Sequence, residues 1–468
     1  MADQAEPGAG SGWRARWPLW ALIAATVLWQ LPLALNAVPA KFDDTESYRV
    51  CAHSMLDGTW TGFHFRTPGY PAMMAAVYRV AGIDNDTPLV WLQFLMGSAV
   101  PLLLYRCARA LGAARGVAAL AGGAWLLDEY SVMMQSVLMT ESPVQVAMVG
   151  VLAFQLSVAR TIGKRGGLAA AAGLGVAFAW LVLLRPSMQL LPHCALGGLA
   201  LWQLAVAGRA WRAGWKPVAA WCAVAFLCSQ APVWAWAEKV RRETGTFTLS
   251  TQLGAALMNH AGAFVEEVPD AYEPVKGYFI EAKRMQKGDH VNAQALALWM
   301  LARDGKMEPW DASAVMMRMS KHVLARHPAW YARRVVIAAG GLWGASAFYL
   351  IENAPLRRWA AITWPYGPAY KVVDSILWRR TATRAAVALL FAASVVYWAV
   401  RARRARDPEA GLAIALLTGF VAYNLAIHAL FQYAEFGRYR LPTQPLHMVG
   451  IVSAAFQAIR DSHVRGSK

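Results

Sequence analysis

The chain of 468 residues is 57% hydrophobic and 16% charged, with a mean hydropathy of +0.33; this composition excludes an ordinary soluble domain and describes a polytopic membrane protein. Its net charge of +17 is spread over short clusters between apolar runs, so nucleic acid is excluded as a partner and membrane lipids are expected against the basic loops. The five cysteines, Cys51, Cys107, Cys194, Cys222 and Cys228, are odd in number and lack metal-type spacing, which excludes a disulfide framework.

Arg14 and Arg16 precede an apolar run from Trp17 to Val38, long enough to span a bilayer. It reads as an uncleaved first helix with a cytoplasmic N-terminus; a cleaved signal, with small residues around Ala37, is the alternative. Lys41 to Pro71 follows and is crowded with charge: Asp43, Asp44, Glu46, Arg49 and Arg66. Asp44, Tyr48 and Ala52 are spaced to share one helix face, with Asp43 or Asp44 at the N-terminus, where the helix dipole favours a carboxylate. Arg66-Thr67-Pro68-Gly69-Tyr70-Pro71 reads as a rigid turn that holds Arg66 near the start of the next helix. A fixed carboxylate and a fixed cation at a membrane surface suit an anionic, lipid-linked substrate.

Further apolar segments are expected near 88–106, 114–127, 136–159, 167–184, 190–208 and 217–237. The connections Arg106–Arg115, Arg160–Arg165 and Arg209–Lys216 hold Lys or Arg and no acid, so they face the cytoplasm by the positive-inside rule. The alternate turns, including Asp128-Glu129-Tyr130 and Arg185-Pro186, then lie outside. Residues 238–334 form a long polar excursion, expected to be a small helical outer subdomain with helices over Glu273–Gln286 and Asp311–Ala325, the second capped by Asp311. His327-Pro328 ends one helix, and Trp330-Tyr331 anchors the next at the interface. Residues 335–351 are apolar but short, and apolar segments near 382–400, 410–430 and 444–460 follow the next stretch. The basic run from Arg401 to Arg406 belongs inside, which places Glu435–Arg440 outside and the C-terminus inside. The parity gives about ten crossings if 335–351 is re-entrant; if it crosses, 352–380 must hold a further crossing. The expected fold is all-α, a polytopic membrane protein with about ten transmembrane helices, outer-face juxtamembrane helices and a helical outer subdomain. Its parts are residues 1–237 with a first outer loop at 39–87, residues 238–334, and residues 335–468.

Six landmarks stand in chain order: Asp44-x-x-x-Tyr48-x-x-x-Ala52, the Arg66–Pro71 turn, Met139-Thr140-Glu141, Leu184-Arg185-Pro186, His327-Pro328-x-x-Tyr331, and Arg438-Tyr439-Arg440-Leu441-Pro442. On these the chain resembles the membrane glycosyltransferases with the GT-C fold. The similarity is to their bacterial branch, which includes protein O-mannosyltransferases and lipid A aminoarabinose transferases. The resemblance implies sugar transfer from a polyprenyl-phosphate donor to a lipid, glycan or protein acceptor of the envelope, on the periplasmic face of the inner membrane. A phosphate leaving group needs charge stabilisation and no general acid, so a single carboxylate base with inversion is enough. The family match and the register with Tyr48 make Asp44 the expected base, against an exposed helix cap. Asp43 is its rival, as a base, a cap or a metal ligand. Glu141 corresponds to a second acid near the acceptor or a possible divalent metal ion; a carboxylate at the membrane interface is the other reading. Arg66, Arg185, Arg438 and Arg440 are expected on phosphate oxygens, against headgroup anchoring. Tyr48, Tyr70 and Tyr439 could orient sugar hydroxyls, against packing in an aromatic belt. No HExxH pair and no GxxxxGK[ST] loop occurs, so nothing supports a zinc protease or ATP-driven transport. A lipid or polysaccharide transporter and a non-catalytic envelope assembly protein are the competing readings.

Overall fold

The structure, a computed structural model, describes residues 16–62, 65–207, 211–343, 381–432 and 436–466. Among these residues it is all-helical, and the sole extended pairing is a parallel bridge between Ala40 and Val137. The helices are α1 (Trp17–Asn36), α2 (Asp43–Leu56), α3 (Gly69–Ala81), α4 (Thr87–Gly97), α5 (Val100–Ala110), α6 (Arg115–Ala124), α7 (Glu129–Met133), α8 (Glu141–Val158), α9 (Gly167–Leu184) and α10 (Leu191–Ala207). They continue as α11 (Trp211–Thr244), α12 (Leu253–Ala261), α13 (Val275–Met285), α14 (Ala293–Arg303), α15 (Pro309–Arg326), α16 (Pro328–Gly341), α17 (Thr381–Ala405), α18 (Pro408–Phe431), α19 (Phe436–Arg440) and α20 (Gln444–Gly466).

Among the described residues seven spans are long and apolar enough to cross a membrane, α1, α4 with α5, α8, α9, α11, α17 and α18, against the expected count of about ten. They pack through small residues, because lipid offers no hydrophobic gain for helix association. In the α9–α11 pair, a Cβ on Gly175 would lie 2.4 Å from the Ala225 carbonyl oxygen, so the contact needs glycine. Polarity sorts to the two ends of the bundle. Glu141 opens α8 and Arg185 follows α9 at one end, while Arg160, Lys164 and Arg165 lie between the two helices at the other. At that second end Arg160 pairs with Glu409 at 2.6 Å, and Arg401 pairs with Asp461.

Several boundaries differ from the expected ones. Residues 136–140 are not the start of a transmembrane helix. Ser136 closes a 3-10 turn, Val137 is extended and bridges to Ala40, and α8 starts only at Glu141. The basic run after 400 is no loop: α17 continues to Ala405 and carries Arg401, Arg403 and Arg404 in its final turns. Asp311 does not cap α15. Pro309, pre-set for a first helical position, starts the helix one turn earlier after Glu308. The part of the 335–351 segment after Trp343, and all of 352–380, lie outside the described residues.

α11 runs for 34 residues, about 51 Å at 1.5 Å per residue, against a hydrocarbon core of about 30 Å. Its last turns therefore stand clear of the membrane and lead into α12–α15, whose core is separate from that of the bundle and includes Met258, Val265, Phe279, Leu301 and Met316. α12 and α14 are additional to the two helices expected here. On the way, Lys239 donates to the Trp60 carbonyl at 3.0 Å, which ties α11 to the loop after α2.

Candidate active site

The backbone assembles the site before any charge does. Ala40 donates to the Ser136 carbonyl, and Leu138 donates to the Ala40 carbonyl, each at 2.9 Å. Thr45 then accepts from the Phe42 amide at 2.9 Å and donates to the Leu138 carbonyl at 3.1 Å. This strap fixes the first turn of α2 beside the first turn of α8, and so Asp44 beside Glu141. A second tie comes from the Arg49 guanidinium, which donates to Asp86 at 2.7 Å and forms an ion pair with Asp84 at 3.0 Å, while Tyr78 donates to Asp86 at 2.6 Å. It pins α2 to the turn before α4.

α3 supplies the third constraint. Gly69, at its first position, lies against the end of α9, where a Cβ would come within 2.6 Å of the Leu183 backbone. The glycine of the Arg66–Pro71 turn is thus there for close approach, and it brings Arg66 and Arg185 to the same place. Arg438 arrives from α19. Behind it, Asp128 accepts from Gln444 at 2.7 Å and from Ser131 at 2.5 Å, which braces the start of α20.

At the centre, Asp44 is held between two guanidiniums. Arg66 Nη2 donates to its Oδ1 and Arg438 Nη2 to its Oδ2, each at 2.5 Å. Arg438 Nε donates to the fully buried Glu141, whose Oε1 lies 3.8 Å from Arg185 Nη1. Arg66 is oriented by Ser47, which accepts from its Nε at 2.8 Å, and by the Tyr48 ring 4.6 Å beneath it. Arg185 lies over the Tyr439 ring at 4.9 Å, and the far partner of that ring is His428, stacked at 4.6 Å. Burial alone would raise the Asp44 pKa, but Arg66 and Arg438 more than offset it and hold the carboxyl at about 2. Among the described side chains three guanidiniums, Arg66, Arg185 and Arg438, face two carboxylates, a balance that suits an added anion.

Of the residues expected from the sequence, Asp44, Glu141, Arg66, Arg185, Arg438 and Tyr48 come together. Asp43 opens α2, and its side chain lies outside the described set. Tyr70 is fully buried beneath Tyr48, with its hydroxyl on Gln93 at 3.2 Å, so it supports the site and does not face it. Arg440 is also buried, and its charge acts on Asp128. The helical alternation of α19 explains the split: Arg438 and Arg440, two positions apart, cannot share a face. Ser47 was missed; its place three residues after Asp44 was the available signal. Among the described residues no three His, Cys, Asp or Glu side chains gather, and the two carboxylates here are already matched by arginines.

A scan of protein-family models finds no match for this chain, and neither does a search of curated proteins. Solved structures do resemble it. The archaeal oligosaccharyltransferase AglB from Archaeoglobus fulgidus, in complex with an inhibitory peptide and a dolichol-phosphate, superposes with a TM-score of 0.54 at 13% identity, covering 98% of this chain and 52% of its own. The same enzyme tethered to an acceptor peptide with an NVT sequon gives 0.52 at 11% identity, covering 97% and 51%. ArnT from Cupriavidus metallidurans, bound to undecaprenyl phosphate, is 16% identical over 89% of this chain and 78% of its own, at a TM-score of 0.34. The chain spans about half the length of the oligosaccharyltransferase. At these identities the likeness concerns architecture, and on it this all-helical membrane protein has the GT-C fold.

Proposed function

We propose that the chain is a membrane glycosyltransferase that moves a sugar from a polyprenyl-phosphate donor to an envelope acceptor on the periplasmic face of the inner membrane, with both termini cytoplasmic. One observation carries the reading: Asp44 sits between Arg66 and Arg438, next to Glu141 and Arg185, at one end of a GT-C bundle. The dolichol-phosphate and acceptor peptide bound by the superposing oligosaccharyltransferase support the same two substrate classes.

The donor phosphate takes the anion place. Its oxygens compete with Asp44 for Arg66 and Arg438, and each guanidinium that turns to phosphate leaves a carboxylate oxygen free. Asp44 with both arginines attached is a weak base; released from them, it recovers basicity as the donor arrives. The acceptor hydroxyl then attacks the anomeric carbon from the side opposite the phosphate, and its proton passes to Asp44. The bond from that carbon to the phosphate oxygen breaks, and polyprenyl phosphate departs with its charge on the arginines. Glu141 keeps Arg438 and Arg185 aimed inward. The loop at 39–87 and the subdomain at 238–334 close over this end and exclude water.

Asp44→Asn is the deciding variant. It is nearly isosteric, so expression and donor binding should persist, while turnover at saturating donor should fall by about 10²–10⁴. Asp43→Asn should be milder, since a helix-end charge is worth about 0.3–1 kcal/mol. Near-normal turnover in Asp44→Asn with a dead Asp43→Asn would move the base to Asp43, and normal turnover in both would end the glycosyltransferase reading.

A further inference from the structure

Arg185 enters the candidate site from the turn after α9, and hydrogen bonds do not explain where it points. Its side chain is buried, Nη1 stands 3.8 Å from Glu141 Oε1, and no described residue accepts a hydrogen bond from that nitrogen. What the guanidinium does meet is a ring. It lies over Tyr439 at 4.9 Å, and Tyr439 stacks on His428 at 4.6 Å with 23° between the two planes. We infer that His428 and Tyr439 are positioning residues, a two-ring stack that aims Arg185 at the donor phosphate, a role that presupposes a polyprenyl-phosphate donor.

The final turns of α18 build this stack. Asn424 and His428 are four residues apart and so share a helix face. Asn424 Nδ2 donates to the Tyr439 carbonyl at 2.9 Å and to Thr443 Oγ1 at 3.2 Å, which fixes the backbone of α19. His428, one turn further on, meets the Tyr439 ring. Beside them the Tyr423 hydroxyl donates to the Ser187 carbonyl at 2.6 Å and accepts from the Leu190 amide at 3.2 Å, which fixes the turn that follows Arg185. α18 therefore holds the backbone on both sides of the Arg185–Tyr439 contact, and His428 completes the hold through the ring.

Holding an arginine by rings suits a site that must bind a phosphate. A carboxylate partner takes up the N–H groups that a phosphate oxygen needs, whereas a ring contact uses none of them. His428 serves this purpose as a flat surface. It is 2% exposed, and neither of its nitrogens has a hydrogen-bond partner among the described residues. A buried polar group left so costs stability, and the contact it makes is that of its ring. A phenyl ring in its place keeps that surface, and an aliphatic side chain removes it.

The test is equilibrium binding of undecaprenyl phosphate to the full chain purified in detergent, a readout that needs neither the sugar nor the acceptor. Arg185→Gln should weaken binding by about 10- to 100-fold, as expected for one lost charge-assisted contact. His428→Leu and His428→Met, both without a ring, should weaken it by about two- to tenfold, as expected for one aromatic pair, and His428→Phe should restore it. In an Arg185→Gln background His428→Leu should change nothing further, because a residue that acts through Arg185 then has nothing left to aim. A second loss in that background would make His428 a packing residue of α18 and overturn the inference, as would parent affinity in both ringless variants. Equal loss in His428→Phe and His428→Leu would mean that the imidazole nitrogens themselves meet the lipid, and would overturn it too. A parent chain that does not bind undecaprenyl phosphate would end the donor reading itself, and the positioning role with it.

Discussion

Asp44 and Glu141 share Arg438, so neither acid can be altered without turning the guanidinium that serves the other. Arg66 is the more independent partner, and its substitutions separate charge from shape. Arg66→Lys keeps a cation but loses the planar fork, including the bond to Ser47. Donor affinity, measured on folded protein by equilibrium binding, should fall by about 1.5–3 kcal/mol in Arg66→Ala and by less in Arg66→Lys; unchanged affinity in Arg66→Ala would return Arg66 to headgroup anchoring. His260 gives a pH dependence away from the site. Burial first, and then the nearby Arg334, keep its imidazole neutral down to about 4, against 6.5 in the unfolded chain. The unfolded chain takes up the proton first, so this contribution to stability is complete above pH 6.5 and is lost as pH falls towards 4. His260→Phe preserves the edge-on contact with Tyr331 at 5.4 Å and should lose about 2 kcal/mol less than the parent between pH 6.5 and 4.5 in thermal or denaturant unfolding. Equal losses would assign the acid sensitivity elsewhere. At this scale the sequence was informative where residue types converge, at Asp44, Arg66, Glu141, Arg185 and Arg438. It was not informative where a side chain points inward or outward, as Tyr70 and Arg440 show, because that depends on the rotation of short helices.

Among the elements, α3 is the one whose sequence explains its position most directly. The Pro68-Gly69 step starts the helix and lets it touch the end of α9, so Arg66 and Arg185 owe their proximity to a missing Cβ. Gly69→Ala would push α3 off the Leu183 backbone. Overpacking of this kind typically costs about 1–3 kcal/mol, and here the displacement falls on Arg66. Turnover should therefore drop more than the unfolding midpoint suggests, and a variant with full activity would show that α3 can shift without carrying Arg66. The long apolar helices were readable because their length and composition suffice. The strap around Val137 was not, since Val137-Leu138-Met139 is as apolar as any helix start and only its partner Ala40, nearly a hundred residues earlier, makes it a strap. α12 and α14 were hidden for a related reason: their apolar faces meet each other and α15, and no single segment shows that.

Across the whole molecule, the separation of the arginine-rich helix ends from the Asp44 cluster predicts orientation. In a chain without its native cysteines, Arg284→Cys on α13 should react with a membrane-impermeant thiol reagent in intact spheroplasts, and Ala405→Cys should not. The reverse pattern would put the cluster on the cytoplasmic side and remove the periplasmic mechanism. The general layout was legible from the apolar runs and their basic connections; the length of α11 was not, because its polar last turns look like loop until Lys239 is seen holding Trp60. The bridge between Ala40 and Val137 sets a gauge on chain length. Each of its residues stands four positions before an acid, Ala40 before Asp44 and Val137 before Glu141. Both carboxylates are therefore counted off from one common point, and a one-residue insertion or deletion in either interval would swing an acid round its helix by about 100°. Length variation in this protein's relatives should be barred from those two intervals, whatever their residues become.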